Sequence, residues 1–119
     1  MSYDIRLKDL KTGKTLHANS KHNFRGGTYA LGGNTELWLN VTYNYAKHYY
    51  KVIDEEKGIR FLYGKSGKES IPILEKAIAQ LGDDVDKDYW KDTEGNAKVA
   101  LEQLLAMAKM RPKGIWDGD

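Results

Sequence analysis

Residues 36–45 constrain the fold more than any other stretch, because they alternate with a period of two. Leu37, Leu39, Val41, Tyr43 and Tyr45 fall on one face, and Glu36, Trp38, Asn40, Thr42 and Asn44 on the other. That is the period of a half-buried strand. Wound as a helix, the same apolar residues scatter around the axis, and Asn and Thr enter an interior that disfavours them. Beyond Tyr45 the pattern changes. The run AKHYYKVI suits a short helix, with Asn44 as its N-cap. The chain is therefore expected to pass from strand to capped helix near Asn44.

The stretch before this run reads as a hairpin. Tyr3, Ile5 and Leu7 alternate with Asp4, Arg6 and Lys8. Residues 11–14 supply a turn in which Gly13 is free to take positive φ. Residues 15–18 are then expected to pair back as a second strand. Residues 19–27 are polar and turn-rich, hence a loop. Residues 28–31 form a short apolar island between Gly26-Gly27 and Gly32-Gly33. The spacing matches neither a dinucleotide fingerprint nor a P-loop. It reads as a short strand between two tight turns, with an anion-binding nest of backbone N–H groups as the alternative.

Helices dominate the second half. Gly58 is expected to stop the first short helix. Residues 59–63 form an apolar segment that can cross the core. Ser66 and Glu69 make a capping-box pair at the head of a helix over 66–81. Ile71, Leu74, Ala77, Ile78 and Leu81 give that helix one apolar face. Pro72 must lie in its first turns; with Ser70 as the cap instead, Pro72 is fully accommodated and the helix is one turn shorter. Residues 83–92 read as an acidic loop with Tyr89 and Trp90 tucked inward. A second helix follows over 93–110, capped near Thr93, with Ala97, Leu101, Leu104, Leu105 and Ala108 as its stripe. Pro112 stops it, and the tail with Ile115 and Trp116 is expected to fold back. Strands first and long amphipathic helices last indicate an α+β fold. The expectation is one domain, 1–119: an antiparallel sheet of about three strands, the N-terminal hairpin plus the central strand, packed against the C-terminal helices.

Composition narrows function mainly by exclusion. The chain has no cysteine, so disulfide and thiolate chemistry are absent. Nineteen basic residues against 17 acidic ones give a net charge of +2. That balance alone does not indicate nucleic-acid binding, which needs clustered cations. No apolar run approaches the roughly 20 residues of a membrane helix. The N-terminus carries no signal-peptide core, so a cytoplasmic location is expected.

No catalytic constellation stands out. His17, His22 and His48 lack helical ligand spacing, so no metal site is expected. Asp84, Asp86 and Asp88 open like a calcium loop, but Tyr89 and Gly95 stand where the bend glycine and the bidentate glutamate belong. No cofactor motif is present, and there is no nucleophile elbow. The candidate site is the polar side of the central strand and the helix after it. Trp38, Asn40, Thr42, Asn44, Tyr45, His48 and Tyr49 are the candidate ligand- or partner-binding residues. Amides and hydroxyls on a rigid strand can read a polar ligand, and aromatic rings can stack on it. The same Asn and Thr groups can instead cap the following helix.

The set Asn40-x-Thr42-x-Asn44, an aromatic-bearing helix, Ile71-Pro72-x-Leu74 with Ala77-Ile78, a Tyr-Trp loop, and a helix opening on Gly95-Asn96 resembles a family. That family comprises small proteins of phages, plasmids and actinobacterial or clostridial genomes, and the likeness runs over residues 26–119. The resemblance implies a host-interaction role, anti-defence roles such as CRISPR inhibition included. With aromatics of interface type and no catalytic set, the expectation is a non-enzymatic protein that binds a host protein or nucleoprotein. The alternatives are a small-ligand or nucleotide binder using the Gly-rich loop and the Asn/Thr face, and a small hydrolase or transferase.

Overall fold

A computed structural model describes residues 1–28 and 33–119. The elements are β1 (Ser2–Lys8), β2 (His17–His22), β3 (Asn34–Glu36), β4 (Trp38–Thr42), α1 (Ala46–Val52), α2 (Gly67–Gln80), α3 (Glu94–Met110) and β5 (Ile115–Gly118). Short 3-10 turns lie at Tyr43–Tyr45 and Gly58–Leu62. This is the α+β arrangement, with a three-stranded antiparallel sheet in the order β4-β1-β5 packed against helices.

The alternation of β1 sets the sheet. Tyr3 stands opposite Val41, Ile5 opposite Leu39 and Leu7 opposite Trp116, all on the buried side. The other side carries Asp4, Arg6 and Lys8 beside Asn40, Trp38 and Asp117. Arg6 and Lys8 both reach the Asp117 carboxylate, at 3.1 and 3.7 Å.

The strand expected to close an N-terminal hairpin goes elsewhere. The turn does form: Asp9 Oδ1 accepts from the Lys11 and Thr12 amides, and Gly13 takes φ 73°. Thr15 then makes a single bridge to Lys8, and His17–His22 pairs with Asn34–Glu36 in a separate two-stranded sheet. Both edges of β1 are taken by strands that bring large apolar side chains to Tyr3, Ile5 and Leu7. The sequence HANSKH has none to offer, so burial selects β4 and the tail instead. The alternating run is likewise broken at Leu37, which separates β3 from β4.

The step from strand to helix also differs. Thr42, not Asn44, caps the 3-10 turn, its Oγ1 accepting the Asn44 amide at 3.2 Å. Helix α1 starts at Ala46, where the run AKHYYKVI begins, but it ends at Val52, well before Gly58. Gly58, at φ 58°, instead opens the 3-10 turn that buries Ile59 and Leu62.

The long helices form where their local chemistry places them. The Ser66–Glu69 capping box closes both ways at 3.0 Å. Ser70 is no cap: it is buried, donates to Gly67 O at 2.7 Å and accepts from Trp116 Nε1 at 2.8 Å. Thr93 caps α3 by accepting the Asn96 amide at 3.0 Å. Helices α2 and α3 run antiparallel. Lys68 N donates to Pro112 O at one end, and Gly82 N donates to Glu94 Oε1 at the other. The tail folds back as β5, burying Trp116.

Gly26 bridges β4 at Val41 in parallel, and Thr42 N donates to Gly26 O at 2.8 Å. A Cβ at Gly26 would lie 2.9 Å from Val41 Cα, so only glycine fits there. The strand expected over 28–31 and the first glycine of the second pair lie outside the described residues, Thr28 excepted. Among the described residues, no helix is long and apolar enough to cross a membrane.

Candidate functional site

The seven residues singled out from the sequence divide into three groups. Trp38 and Asn40 lie on the charged side of the sheet. Asn40 is only 5% exposed and donates to Asp4 Oδ1 at 2.7 Å, while its carbonyl accepts from Thr28 Oγ1 at 3.0 Å. Thr42 is 1% exposed and spent on capping. Neither presents its polar group to solvent. Tyr49 is in the core, its hydroxyl donating to Ala97 O at 3.0 Å, and burial pushes its phenol well above the usual range.

The third group converges on one feature, the loop over residues 83–92. Asn44 Nδ2 donates to Trp90 O at 2.7 Å, Tyr45 Oη donates to Tyr89 O, and His48 Nε2 donates to Asp92 O at 2.6 Å. Asn96, from the first turn of α3, supplies the rest. Its Nδ2 donates to Asp88 O at 3.2 Å and to Lys91 O at 3.0 Å. Every carbonyl from Asp88 to Asp92 thus accepts a hydrogen bond from a side chain.

The N–H side of the loop is held as firmly. Asn96 Oδ1 accepts from Asp86 N, Asp86 Oδ1 from Asp88 N, and Asp88 Oδ1 from Trp90 N, at 3.0, 2.8 and 3.1 Å. Asp84 Oδ1 accepts from Gly95 N at 2.9 Å. The carboxylates that resemble the start of a calcium loop are therefore engaged by amides, Asp86 and Asp88 by the loop's own and Asp84 by that of Gly95 in α3. A Cβ on Gly95 would lie 2.8 Å from Asp84 N, which is why the helix opens on glycine there. Lys47 pairs with Asp92 at 2.7 Å, and this hydrogen bond and charge hold the Asp92 carboxyl below its ordinary range. Asp86 is lowered by the Asp88 amide and by Lys91. Desolvation, with Asp88 nearby, pushes the Tyr45 phenol up to about 12.

The backbone is fixed, but the side chains on its outer side are not covered. Trp90 is 47% exposed and Val85 60%, which corrects the expectation that Trp90 tucks inward. The reason is the backbone itself: turning its carbonyls toward the 43–45 turn, His48 of α1 and Asn96 leaves the indole to project outward. Tyr89 is half-buried under Arg25, whose guanidinium lies 4.4 Å from the ring centroid. Arg25 is in turn clasped by Gln103 of α3, which accepts from its amide and donates to its carbonyl. A cleft of about 270 Å³ opens here, lined by Arg25, Gly27, Tyr45, Val85, Tyr89 and Val99 among others.

The histidines do not gather. His17 Nδ1 meets Thr35 Oγ1 at 2.7 Å, His22 Nε2 meets Glu36 O, and His48 holds the loop. Among the described residues no cluster of three or more His, Asp or Glu side chains is arranged to hold a metal ion.

Arg25, Asn96 and Gln103 were not singled out as site residues in the sequence. The one available signal was the pair Gly95-Asn96 directly behind the N-cap Thr93, since a buried Asn in a first helical turn serves a neighbouring loop. No protein-family model matches the chain, and no curated protein and no solved structure matches it at a significant level.

Proposed function

We propose that this is a non-enzymatic binding protein of the cytoplasm that grips a host protein or nucleoprotein through the outer side of the 83–92 loop. One observation carries the reading: an exposed tryptophan stands on a loop whose consecutive carbonyls are all tied down. A solvated loop needs no such restraint. A recognition loop gains from it, because little conformational freedom remains to be lost on binding. Next to Trp90 in the chain, Tyr89 lies under Arg25, both of residue types that dominate interface energetics, in a cleft that Val85 and Val99 also line. The predicted residues Asn44, Tyr45 and His48 enter this reading as the cradle of the recognition loop rather than as its contact surface. The likeness to phage and mobile-element proteins supports a host partner and an anti-defence role such as CRISPR inhibition.

The test is affinity capture from a bacterial lysate, with the wild-type chain beside Trp90→Ala and Val85→Asp variants. The wild type is expected to retain a defined partner at a fixed ratio. Trp90→Ala should weaken the purified complex by at least about 2 kcal/mol, roughly thirtyfold. Capture of nothing above control, or of a partner indifferent to both variants, would overturn the reading.

A further inference from the structure

A second surface lies at the opposite end of the helix pair. Helix α3 has 17 residues, so about 25 Å separates its acidic N-terminal surroundings from its C-terminus. Residues 83–92 hold five aspartates against two lysines. The far end is basic. Lys109 and Arg111 sit at the end of α3, and Lys113 follows. Lys68 is tied to the same place by its backbone N–H, which donates to Pro112 O at 2.9 Å. Lys11 and Lys14 ride the turn closed by Asp9 N on Lys14 O, also at 2.9 Å. Among the described residues, none of these six cations is in an ion pair.

A groove of about 350 Å³ runs here, with Leu16, Met110 and Pro112 along it and two of the cations, Arg111 and Lys113, lining it with one carboxylate, Asp9. Glu69 lies outside its lining. Asp9 accepts from the turn amides of Lys11 and Thr12, and Glu69 completes the capping box of α2. Met110 is 45% exposed. Its neighbour Leu16 is fixed from behind: Gly114 packs so closely on Leu16 and Leu7 that a Cβ there would lie 2.7 Å from Leu16 Cδ1.

We propose that this groove binds an acidic segment of another protein, anchored by an aliphatic side chain and flanked by carboxylates. Two features select that occupant. Unpaired cations on an apolar floor complement a chain carrying both carboxylates and an apolar residue. A nucleic acid would use the cations but not the floor, and among the described residues no aromatic side chain lines the groove for a base to stack on. The surface is separate from the 83–92 loop, so failure at either one leaves the other standing.

The probe is a fluorescein-labelled peptide of glutamates and aspartates carrying two leucines, read by anisotropy at low salt. Binding is expected to fall about tenfold when glycine replaces both leucines. It should fall by a similar factor, about tenfold, with Lys14→Glu plus Lys113→Glu, two exposed positions where the fold is not at stake. Met110→Ser should act like the glycine peptide, and Trp90→Ala should change nothing. Equal binding of the glycine peptide, or tighter binding of oligodeoxythymidine than of the leucine peptide, would overturn the proposal in favour of a plain anion surface. Self-association in sedimentation that the double charge reversal abolishes would also overturn it, by making the acidic loop of a second copy the occupant.

Discussion

At the level of single residues, Asn96 does the most for its size. It is 3% exposed, and one carboxamide serves Asp86 N, Asp88 O and Lys91 O. Asn96→Ala leaves those groups without their partners in a half-buried setting. The expected cost is about 2–3 kcal/mol in chemical denaturation. Amide exchange should quicken at Asp86 and Asp88 while α2 keeps its protection. Uniform acceleration across the chain would show that Asn96 supports the whole fold and not the loop. Tyr63 is the opposite case. Its hydroxyl is buried with no hydrogen-bond partner among the described residues, close against Gly118. Burial, with the charge of Asp119, raises its phenol. Removing an unsatisfied polar atom relieves a desolvation cost, so Tyr63→Phe should stabilise the protein by about 1 kcal/mol. A loss of stability in the same denaturation experiment would mean that the hydroxyl is satisfied after all.

At the level of elements, the 83–92 loop behaves as a unit set by charge. Asp92 and Asp86 have carboxyls lowered by Lys47 and by the Asp88 amide, respectively. A carboxyl lowered by folding contributes stability above its ordinary range, and that contribution disappears as pH falls through the lowered value. Acidification should therefore loosen the loop in the range below ordinary carboxylate titration while α2 and α3 persist. Amide exchange at Trp90 and Asp88 against pH is the measurement, and simultaneous loss of protection in α3 would contradict it. The two long helices were legible in the sequence because their signals are local. Ser66 and Glu69 are three residues apart, and the apolar positions repeat within a turn or two. The candidate site was legible only in part, because its meaning is long-range. Asn44, Tyr45 and His48 stand out by their chemistry, yet their acceptors lie 44 to 46 residues away, and no period reports such a meeting. The central strand, β4, is in the sheet with β1 as expected, but the tail as the other neighbour of β1 escapes the sequence for the same reason. Alternation marks a strand and its buried face but not its neighbour, so a nearby polar segment looked like a hairpin while a four-residue tail supplied the third strand.

At the level of the whole molecule, that tail closes the structure. Trp116 is 1% exposed, stands opposite Leu7 in the sheet, and donates through Nε1 to Ser70 of α2. Its backbone is clasped on both sides, Gly64 N donating to Trp116 O and Trp116 N to Lys65 O, each at 2.9 Å. One short strand thus joins the sheet, the 63–66 connection and the helix pair. A chain of 119 residues carries a total stability of roughly 6–18 kcal/mol. Trp116→Ala should remove about 3–5 kcal/mol of that through lost burial and the cavity left behind, yet leave a cooperative transition. Trp116→Phe keeps most of the packing and loses only the donor to Ser70, so it should cost less, about 1–2 kcal/mol. Deleting residues 115–119 is a different perturbation. It strips the ladder from one side of β1, exposes that edge, and releases Arg6 and Lys8 from Asp117. The truncated chain is expected to keep helical far-ultraviolet dichroism while losing near-ultraviolet signal and a sharp thermal transition. If it instead melts as sharply as the Trp116→Ala variant, β5 is an appendage held by one side chain, and the sheet and helices cohere without it.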